Sequence, residues 1–206
     1  MKNIKEKQAV ADIMKRLYDR HLTTCSGGNV SMKRGNGHVF ITPSQVDKGN
    51  ITAEQIIELD ADGKLLTPEL KASMETAMHL NIYHQRPDVK AVVHAHPPKA
   101  TAWACSKQEL QNNLCGEARF FLGEIARVPY ALMGSDVLAS HVSGFLGNTN
   151  AALLNNHGAM TTGKSLFEAY DRMEVLEYLA ELQLAVKQTG APRFLNGSEL
   201  SGIDAL

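Results

Sequence analysis

Two histidines separated by a single residue are the feature of this chain with the clearest chemical meaning. His94 and His96 stand at the end of a short β-branched run that begins at Ala91. Side chains alternate between two faces in an extended strand, so both imidazoles project from the same face and can present ring nitrogens to one ion. The spacing favours a metal site, although histidines at a strand end can also be ordinary polar residues.

A third imidazole completes the predicted set of metal ligands. His157 follows a second apolar run, 151–154, and precedes Gly158, where the backbone can approach a ligand closely. Three neutral imidazoles with an open fourth position are typical of catalytic rather than structural zinc. We therefore predict a zinc site formed by His94, His96 and His157.

A carboxylate upstream could supply proton chemistry. Glu75 lies in a segment that we predict to be helical from about residue 69 to residue 85. A carboxylate beside a metal can act as a ligand or as a general base, whereas a glutamate on an exposed helix face is merely solvated. His79, four residues after Glu75, and His84 make a second metal site conceivable. We favour the first site because helical histidines next to acids are usually surface pairs.

The composition favours one globular domain over residues 1–206. Of its residues, 44% are hydrophobic and 21% are charged, which is enough to bury a substantial core. The net charge of -1 leaves no basic stripe for nucleic acid, so an anionic ligand must be bound locally. Neither a membrane span nor a signal-peptide core is predicted, and we expect a cytoplasmic protein. Three cysteines without Cys-x-x-Cys spacing predict reduced thiols.

The hydrophobic pattern predicts an α/β organisation. A short acidic helix should begin at Thr52, and longer predicted helices cover 5–21, 69–85, 99–106, 135–146 and 166–182. The predicted strands cover 30–32 and 39–42 as a hairpin, 57–59, 91–96, 124–131 at a sheet edge, and 151–154. Residues 189–206 show no clear period, so we expect a tail that is loose or lies against a neighbour.

Three segments rich in glycine or hydroxyl groups could bind an anion. Gly27-Gly28-Asn29 can turn backbone N–H groups toward an anion, and Asn29 adds an amide donor. Segments 42–44 and 71–73 end in serines that supply further donors. Each segment alone is also typical of an ordinary turn.

Five motifs, in this order and spacing, resemble the class II aldolase and adducin-head family over roughly residues 5–185. The motifs are Ser26–Ser31, Ile41–Ser44, Ser73–Glu75, His94–Pro97 and Asn156–Gly158. The resemblance implies a three-layer, single-domain α/β sandwich with a central, mainly antiparallel sheet flanked by helices. It also implies a homotetramer with active sites at the subunit interfaces.

The resemblance assigns roles to individual residues. It implies that Glu75 is the catalytic acid/base and can be a fourth ligand when substrate is absent. It further implies zinc bound by His94, His96 and His157, and substrate phosphate bound by Gly28, Asn29, Ser44 and Ser73. The implied reaction is reversible cleavage of a ketose 1-phosphate, such as L-fuculose 1-phosphate, to dihydroxyacetone phosphate and L-lactaldehyde.

The chain departs from the family pattern at three points. Gln45 stands where the family commonly has glycine, and Met74 stands where it commonly has a second serine. Such aldolases use a tyrosine from a neighbouring subunit as proton donor to the aldehyde oxygen, and neither 114–121 nor the tail contains one. The proton donor is unassigned, and we interpret three other tyrosines as packing residues: Tyr130, Tyr170 and Tyr178.

Other members of the family remain as alternatives. A methylthioribulose-1-phosphate dehydratase, or an aldolase for a related deoxypentulose phosphate, shares the three histidines. A pentulose-phosphate 4-epimerase would normally carry aspartate at the position of Glu75. An adducin-like interaction module would lack the metal ligands, so we expect an enzyme.

Overall fold

A seven-stranded sheet organises the chain. The computed structural model describes residues 3–206. The strands span Asn29–Lys33 (β1), Val39–Ile41 (β2), Ile57–Leu59 (β3), Ala91–Ala95 (β4), Ile125–Val128 (β5), Ala151–Leu154 (β6) and Gly158–Gly163 (β7). Their order across the sheet is β3-β2-β1-β4-β7-β6-β5. Every neighbouring pair is antiparallel except β5 and β6, which are parallel.

Helices connect these strands. They span Ile4–Asp19 (α1), Thr76–Gln85 (α2), Pro98–Ala104 (α3), Gly116–Leu122 (α4), Asp136–Phe145 (α5), Leu166–Thr189 (α6) and Gly197–Asp204 (α7). Two short 3₁₀ helices lie at Lys48–Asn50 and Ala53–Gln55. Within residues 3–206, no helix has both the length and the apolar character needed to span a bilayer.

The side chains of β4 divide the core into two layers. Ala91 and Val93 pack in one apolar cluster with residues of α1, α3 and α6. Val92 packs in a second cluster, with residues of α2 and α5. The predicted α/β fold, a central and mainly antiparallel sheet flanked by helices, is therefore confirmed. Because side chains alternate along a strand, His94 shares the face of Val92 and points to the layer that contains α2.

Most predicted elements are present near their predicted positions. The predicted hairpin is formed by β1 and β2, and β5 lies at the edge of the sheet. Thr52 begins the second 3₁₀ helix with a capping box. Helices α1, α3, α5 and α6 correspond to the predictions for 5–21, 99–106, 135–146 and 166–182.

The predicted helix over 69–85 is wrong in its first part, because α2 begins only at Thr76. The preceding segment forms turns and pairs with another part of the chain: Ser44 N–H donates to Lys71 O at 3.0 Å, and Pro43 and Ala72 form a β-bridge. Backbone that bonds across to another segment cannot close helical bonds along its own chain. Glu75 consequently lies at the N-cap of α2 rather than on its side.

The predicted loose tail is also corrected, because residues 197–204 form α7 against α4. Asn196 Oδ1 accepts from Glu199 N–H at 3.1 Å, and a Glu199 carboxylate oxygen accepts from Asn196 N–H at 2.7 Å. Arg119 of α4 donates to Asp204 at 2.8 Å. These caps and charges start and anchor a short helix that carries no apolar period.

Candidate active site

The three predicted metal ligands meet at the end of β4. His94 lies on the strand, His96 follows it, and His157 lies in the turn between β6 and β7. One nitrogen from each imidazole lies within 4.8 Å of the others. The ring centroids are 4.8 to 5.5 Å apart. We call these three residues the histidine cluster.

Glycines allow the turns around the cluster to pack closely. A Cβ at Gly158 would lie 2.6 Å from Ala95 O and from Cδ2 of His96. A Cβ at Gly28 would lie 2.7 Å from the carbonyl oxygen of His94, and Gly28 has a φ of +68°. Both positions therefore require glycine for steric reasons. The predicted contact of Gly28 with phosphate stays a prediction.

The nitrogen atoms of the cluster fit a cation. His94 Nδ1–H donates to Ala159 O at 2.9 Å, which leaves its Nε2 with a free lone pair. Nε2 of His94 and Nε2 of His96 are both buried without a hydrogen-bond partner. Burial lowers the pKa of His94 and lowers the pKa of His96 to about 3, so both imidazoles are neutral at physiological pH. Unpaired buried acceptors are costly, and a metal ion would satisfy them.

Glu75 lies directly against the cluster. Its Oε2 is 3.3 Å from His94 Nε2, and its Oε1 is 3.2 Å from His157 Nε2. Asn29 Nδ2 donates to Oε2 at 2.8 Å. Burial acts to raise the pKa of Glu75, but the adjacent imidazoles of His94 and His157 and the hydrogen bond from Asn29 outweigh it and hold the pKa below its usual value. The carboxylate is therefore ionised where it could bind a cation or accept a proton.

A chain of hydrogen bonds with a defined direction holds the Asn29 amide. A carboxylate can only accept, so Asn29 turns Nδ2 to Glu75 and Oδ1 to His79. His79 Nε2–H donates to that Oδ1, and His79 Nδ1 accepts from the Ser31 hydroxyl at 2.7 Å. The Ser31 oxygen accepts from Tyr83 Oη at 2.7 Å. We call these four residues, from Tyr83 to Asn29, the Tyr83–Asn29 chain.

The second metal site considered for Glu75 does not form in the described part of the chain. Both ring nitrogens of His79 are used in hydrogen bonds, and burial lowers its pKa to about 3. His84 is exposed and belongs to no group of potential metal ligands in the described residues. The four-residue spacing predicted that His79 lies near Glu75, but its hydrogen bond to the Asn29 side chain was not predicted.

A cavity of about 300 Å³ opens beside the cluster. Glu75, His96 and His157 line it on the metal side. All four predicted phosphate ligands also line it: Gly28, Asn29, Ser44 and Ser73. The structure thus brings the four predicted anion-binding residues, Glu75 and two of the three predicted metal ligands to one cavity.

The departures from the family pattern have different structural consequences. Gln45 has a φ of +57°, so the backbone keeps the left-handed conformation that glycine favours, at a cost of about 1 kcal/mol. Met74 lines the cavity and is 65% exposed, so it offers an apolar side chain in place of a hydroxyl.

None of the five tyrosines of this chain, which all fall within residues 3–206, lines the cavity. Tyr170 is fully buried, which confirms its interpretation as a packing residue. Tyr130 is 60% exposed and Tyr178 is 48% exposed, so neither packs in the core of this chain. Among the residues described, none that lines the cavity is a tyrosine. Lys48, which the sequence did not single out, does line it.

The chain belongs to the Class II Aldolase and Adducin N-terminal domain family, which it matches over residues 8–184. It is 38% identical over 174 residues to an L-fuculose phosphate aldolase of Methanococcus maripaludis, covering 84% of this chain and 93% of that protein. It is 30% identical over 208 residues to a 3-oxo-tetronate 4-phosphate decarboxylase of Haemophilus influenzae, covering 99% of this chain and 98% of that protein.

A solved structure supports the same assignment. An L-fuculose 1-phosphate aldolase superimposes with a TM-score of 0.88 at 28% identity, covering 100% of this chain and 96% of that one. The family match and the aldolase relatives confirm the prediction of an enzyme of the class II aldolase type. This family is metal-dependent and acts on phosphorylated sugars.

Proposed function

We propose that this protein is a zinc-dependent aldolase that reversibly cleaves L-fuculose 1-phosphate, or a related ketose 1-phosphate, to dihydroxyacetone phosphate and L-lactaldehyde. The observation that carries the proposal is the position of Glu75. Its two carboxylate oxygens lie 3.2 and 3.3 Å from imidazole nitrogens of the histidine cluster, at the wall of a cavity with several hydrogen-bond donors.

The histidine cluster would hold the metal. Zinc bound by His94, His96 and His157 would act as a Lewis acid that stabilises the negative charge of an enediolate. Neutral imidazoles are common zinc ligands, which supports zinc as the metal.

Glu75 would move the proton at carbon. In the condensation direction it removes a proton from the carbon of dihydroxyacetone phosphate that attacks the aldehyde. In the cleavage direction the protonated Glu75 delivers a proton to that carbon, which balances the proton that the substrate hydroxyl loses as it becomes the aldehyde. Its lowered pKa keeps it in the basic form that the first step requires. Asn29 holds one carboxylate oxygen by its 2.8 Å hydrogen bond, which would orient the base.

The serines and the glycine turn would bind the phosphate. Ser44 and Ser73 offer hydroxyl donors, and Gly28 brings backbone close to the cavity. Asn29 Nδ2 also lies 3.3 Å from Ser73 Oγ, so this residue connects the phosphate side of the cavity with Glu75.

The assembly belongs to the same proposal. We infer a homotetramer with active sites at the interfaces, supported by the exposed apolar side chains of Met74 and Met133 at the cavity. Light scattering on the purified protein would test the tetramer, and a monomeric mass would contradict it. The cytoplasmic location and the extent of a single domain over 1–206 stay predictions.

Decarboxylation of 3-oxo-tetronate 4-phosphate is the second candidate, and it is favoured by the absence of a tyrosine from residues 114–121 and from the tail, the segments in which we expected the aldolase proton donor. A 3-oxo acid breaks its C1–C2 bond and releases CO₂ without protonating the leaving group. The remaining enediolate is that of dihydroxyacetone phosphate, so Glu75 would protonate the same carbon. A relative named for this reaction matches the chain over 99% of its length.

One experiment separates the two candidates. Zinc-loaded protein is given each substrate, and dihydroxyacetone phosphate is followed by coupled NADH oxidation, with and without a chelator. We expect chelator-sensitive release from L-fuculose 1-phosphate with equimolar L-lactaldehyde. Release only from 3-oxo-tetronate 4-phosphate, with CO₂, would establish the second candidate. Product from neither substrate would reject both of these substrates and direct the test to a related ketose 1-phosphate.

A further inference from the structure

Lys48 is a buried cation with few partners. It is 1% exposed, and its Nζ donates to Pro43 O at 2.7 Å. An ammonium carries three donors, and among the described residues no carboxylate lies within 4.0 Å of this one. Burial lowers the pKa of Lys48 to about 8. A buried charge without a counter-ion costs folding free energy, so its presence calls for a reason.

The position of Lys48 joins two of the segments predicted to bind an anion. Its backbone N–H donates to Cys25 O at 2.8 Å, immediately before the turn at 26–28. Its ammonium is bonded to Pro43, immediately before Ser44. Lys48 lines the same cavity as Ser44 and Ser73.

The cavity is lined by one cationic and one anionic side chain. Lys48 is the only lysine or arginine among the described residues that line it, and Glu75 is the only carboxylate. A phosphate dianion that entered this cavity would carry two negative charges, and a zinc ion at the histidine cluster would mainly offset the charge of Glu75. Hydroxyl and backbone donors alone do not neutralise the phosphate itself, whereas an ammonium in a poorly solvated place interacts with it strongly.

We propose that Lys48 supplies the positive charge that recognises the phosphate dianion of the substrate. The proposal rests on the proposed function, since it concerns the same cavity. The uncompensated ammonium destabilises the free protein and is compensated when the anion binds. Lys48 thus trades folding stability for affinity, as residues at binding sites commonly do.

A binding role and a structural role of Lys48 predict opposite changes in stability when the lysine is replaced. Lys48→Met removes the charge and keeps an apolar side chain of similar length. If Lys48 binds the anion, this variant should be at least as stable as the wild type without ligand and should bind phosphate more weakly. If Lys48 only fastens Pro43, the variant should be less stable and should bind phosphate normally.

The test uses inorganic phosphate as the probe and metal-loaded protein. Melting temperatures are measured over a phosphate titration for the wild type, for Lys48→Met, and for Lys64→Met, a matched change at an exposed lysine. We expect phosphate to raise the melting temperature of the wild type and of Lys64→Met. In Lys48→Met we expect the phosphate Kd to rise at least about ten-fold, because hydrogen bonds to charged groups contribute that much or more.

An unchanged phosphate Kd in a folded Lys48→Met would overturn the proposal. If that variant does not fold, Lys48→Gln takes its place, because its amide retains a donor but carries no charge. Ten-fold weaker phosphate binding by Lys48→Gln supports the role of the charge, and unchanged binding overturns it.

Phosphate binding requires no turnover, so the two proposals can fail separately. If Lys48→Met loses phosphate binding and the wild type does not cleave L-fuculose 1-phosphate, the anion site is kept and the proposed reaction is rejected. Cleavage with a KM that is unchanged in Lys48→Met would keep the reaction and reject the role of Lys48. With both correct, KM should rise more than kcat falls.

Discussion

Two groups of buried polar side chains lie next to each other and differ in their hydrogen bonding. His79 and His94 are both 0% exposed, and both belong to the layer between the sheet and α2. In the Tyr83–Asn29 chain each side chain has a hydrogen-bond partner. In the histidine cluster, Nε2 of His94 and Nε2 of His96 have none.

The difference shows that burial alone does not mark a ligand histidine. A buried imidazole with both nitrogens paired is part of a rigid network, and its environment determines its tautomer. A buried imidazole with an unpaired nitrogen keeps a lone pair that is free to bind a metal ion. We therefore expect changes in the histidine cluster to affect metal binding first, and changes in the Tyr83–Asn29 chain to affect stability first.

The largest effect should follow substitution of a metal ligand. His94→Gln should reduce the bound zinc from about one ion per chain to nearly none, and activity should be lost with it. Metal analysis of dialysed protein measures this, and the exposed His84→Gln serves as the control. Retention of stoichiometric zinc by His94→Gln would show that the cluster is not the metal site.

The second effect separates proton transfer from metal binding. Glu75→Gln keeps the size of the side chain but removes the base, so kcat should fall about 10²- to 10⁴-fold while zinc is retained. Steady-state kinetics at saturating zinc measures this change, with the exposed Glu69→Gln as the matched control. A zinc-loaded Glu75→Gln with nearly normal kcat would remove Glu75 from the proposed mechanism.

The sequence predicted the helices and strands whose apolar residues recur with a regular spacing. Half-exposed helices such as α1 and α5 show apolar stripes, and their predictions are confirmed. Strand β7 was missed because all six of its residues are buried and it shows no alternation. Helix α7 was missed because caps and ion pairs, rather than an apolar face, hold it.

The site was predictable only in part, for a related reason. The two-residue spacing of His94 and His96 can be read from the sequence, and the alternation of side chains along a strand places both imidazoles on one face. Asn29 pairs with His94 across β1 and β4, a register that no short motif records. Lys48 begins a short 3₁₀ helix that no sequence pattern distinguishes, so its burial became visible only in the structure.

A smaller effect should follow from breaking the Tyr83–Asn29 chain in the middle. His79→Leu leaves Asn29 Oδ1 without its His79 donor and the Ser31 O–H without an acceptor, which should cost about 1–3 kcal/mol of unfolding free energy for each group. Asn29 would no longer be held in one orientation, so kcat should fall about ten-fold with zinc retained. Denaturant unfolding and kinetics measure the two quantities.

His79→Gln is the matched variant for this test. Its amide can still donate to Asn29 but cannot accept from Ser31 in the same way as His79 Nδ1. We expect it to recover more of kcat than of stability. Equal loss of both quantities in the two variants would show that His79 acts through the fold and not through the orientation of Asn29.

The smallest effect should come from the far end of the chain. Burial raises the pKa of Tyr83, so its phenol stays protonated and remains the donor to Ser31. Tyr83→Phe removes only this bond, which should cost about 1 kcal/mol of unfolding free energy and change kcat by less than about two-fold. The Ser31 hydroxyl still donates to His79, so the orientation of Asn29 is kept. If kcat fell as far in Tyr83→Phe as in His79→Leu, each hydrogen bond of the chain would be needed to hold Glu75, and the boundary between a catalytic cluster and a supporting network would disappear.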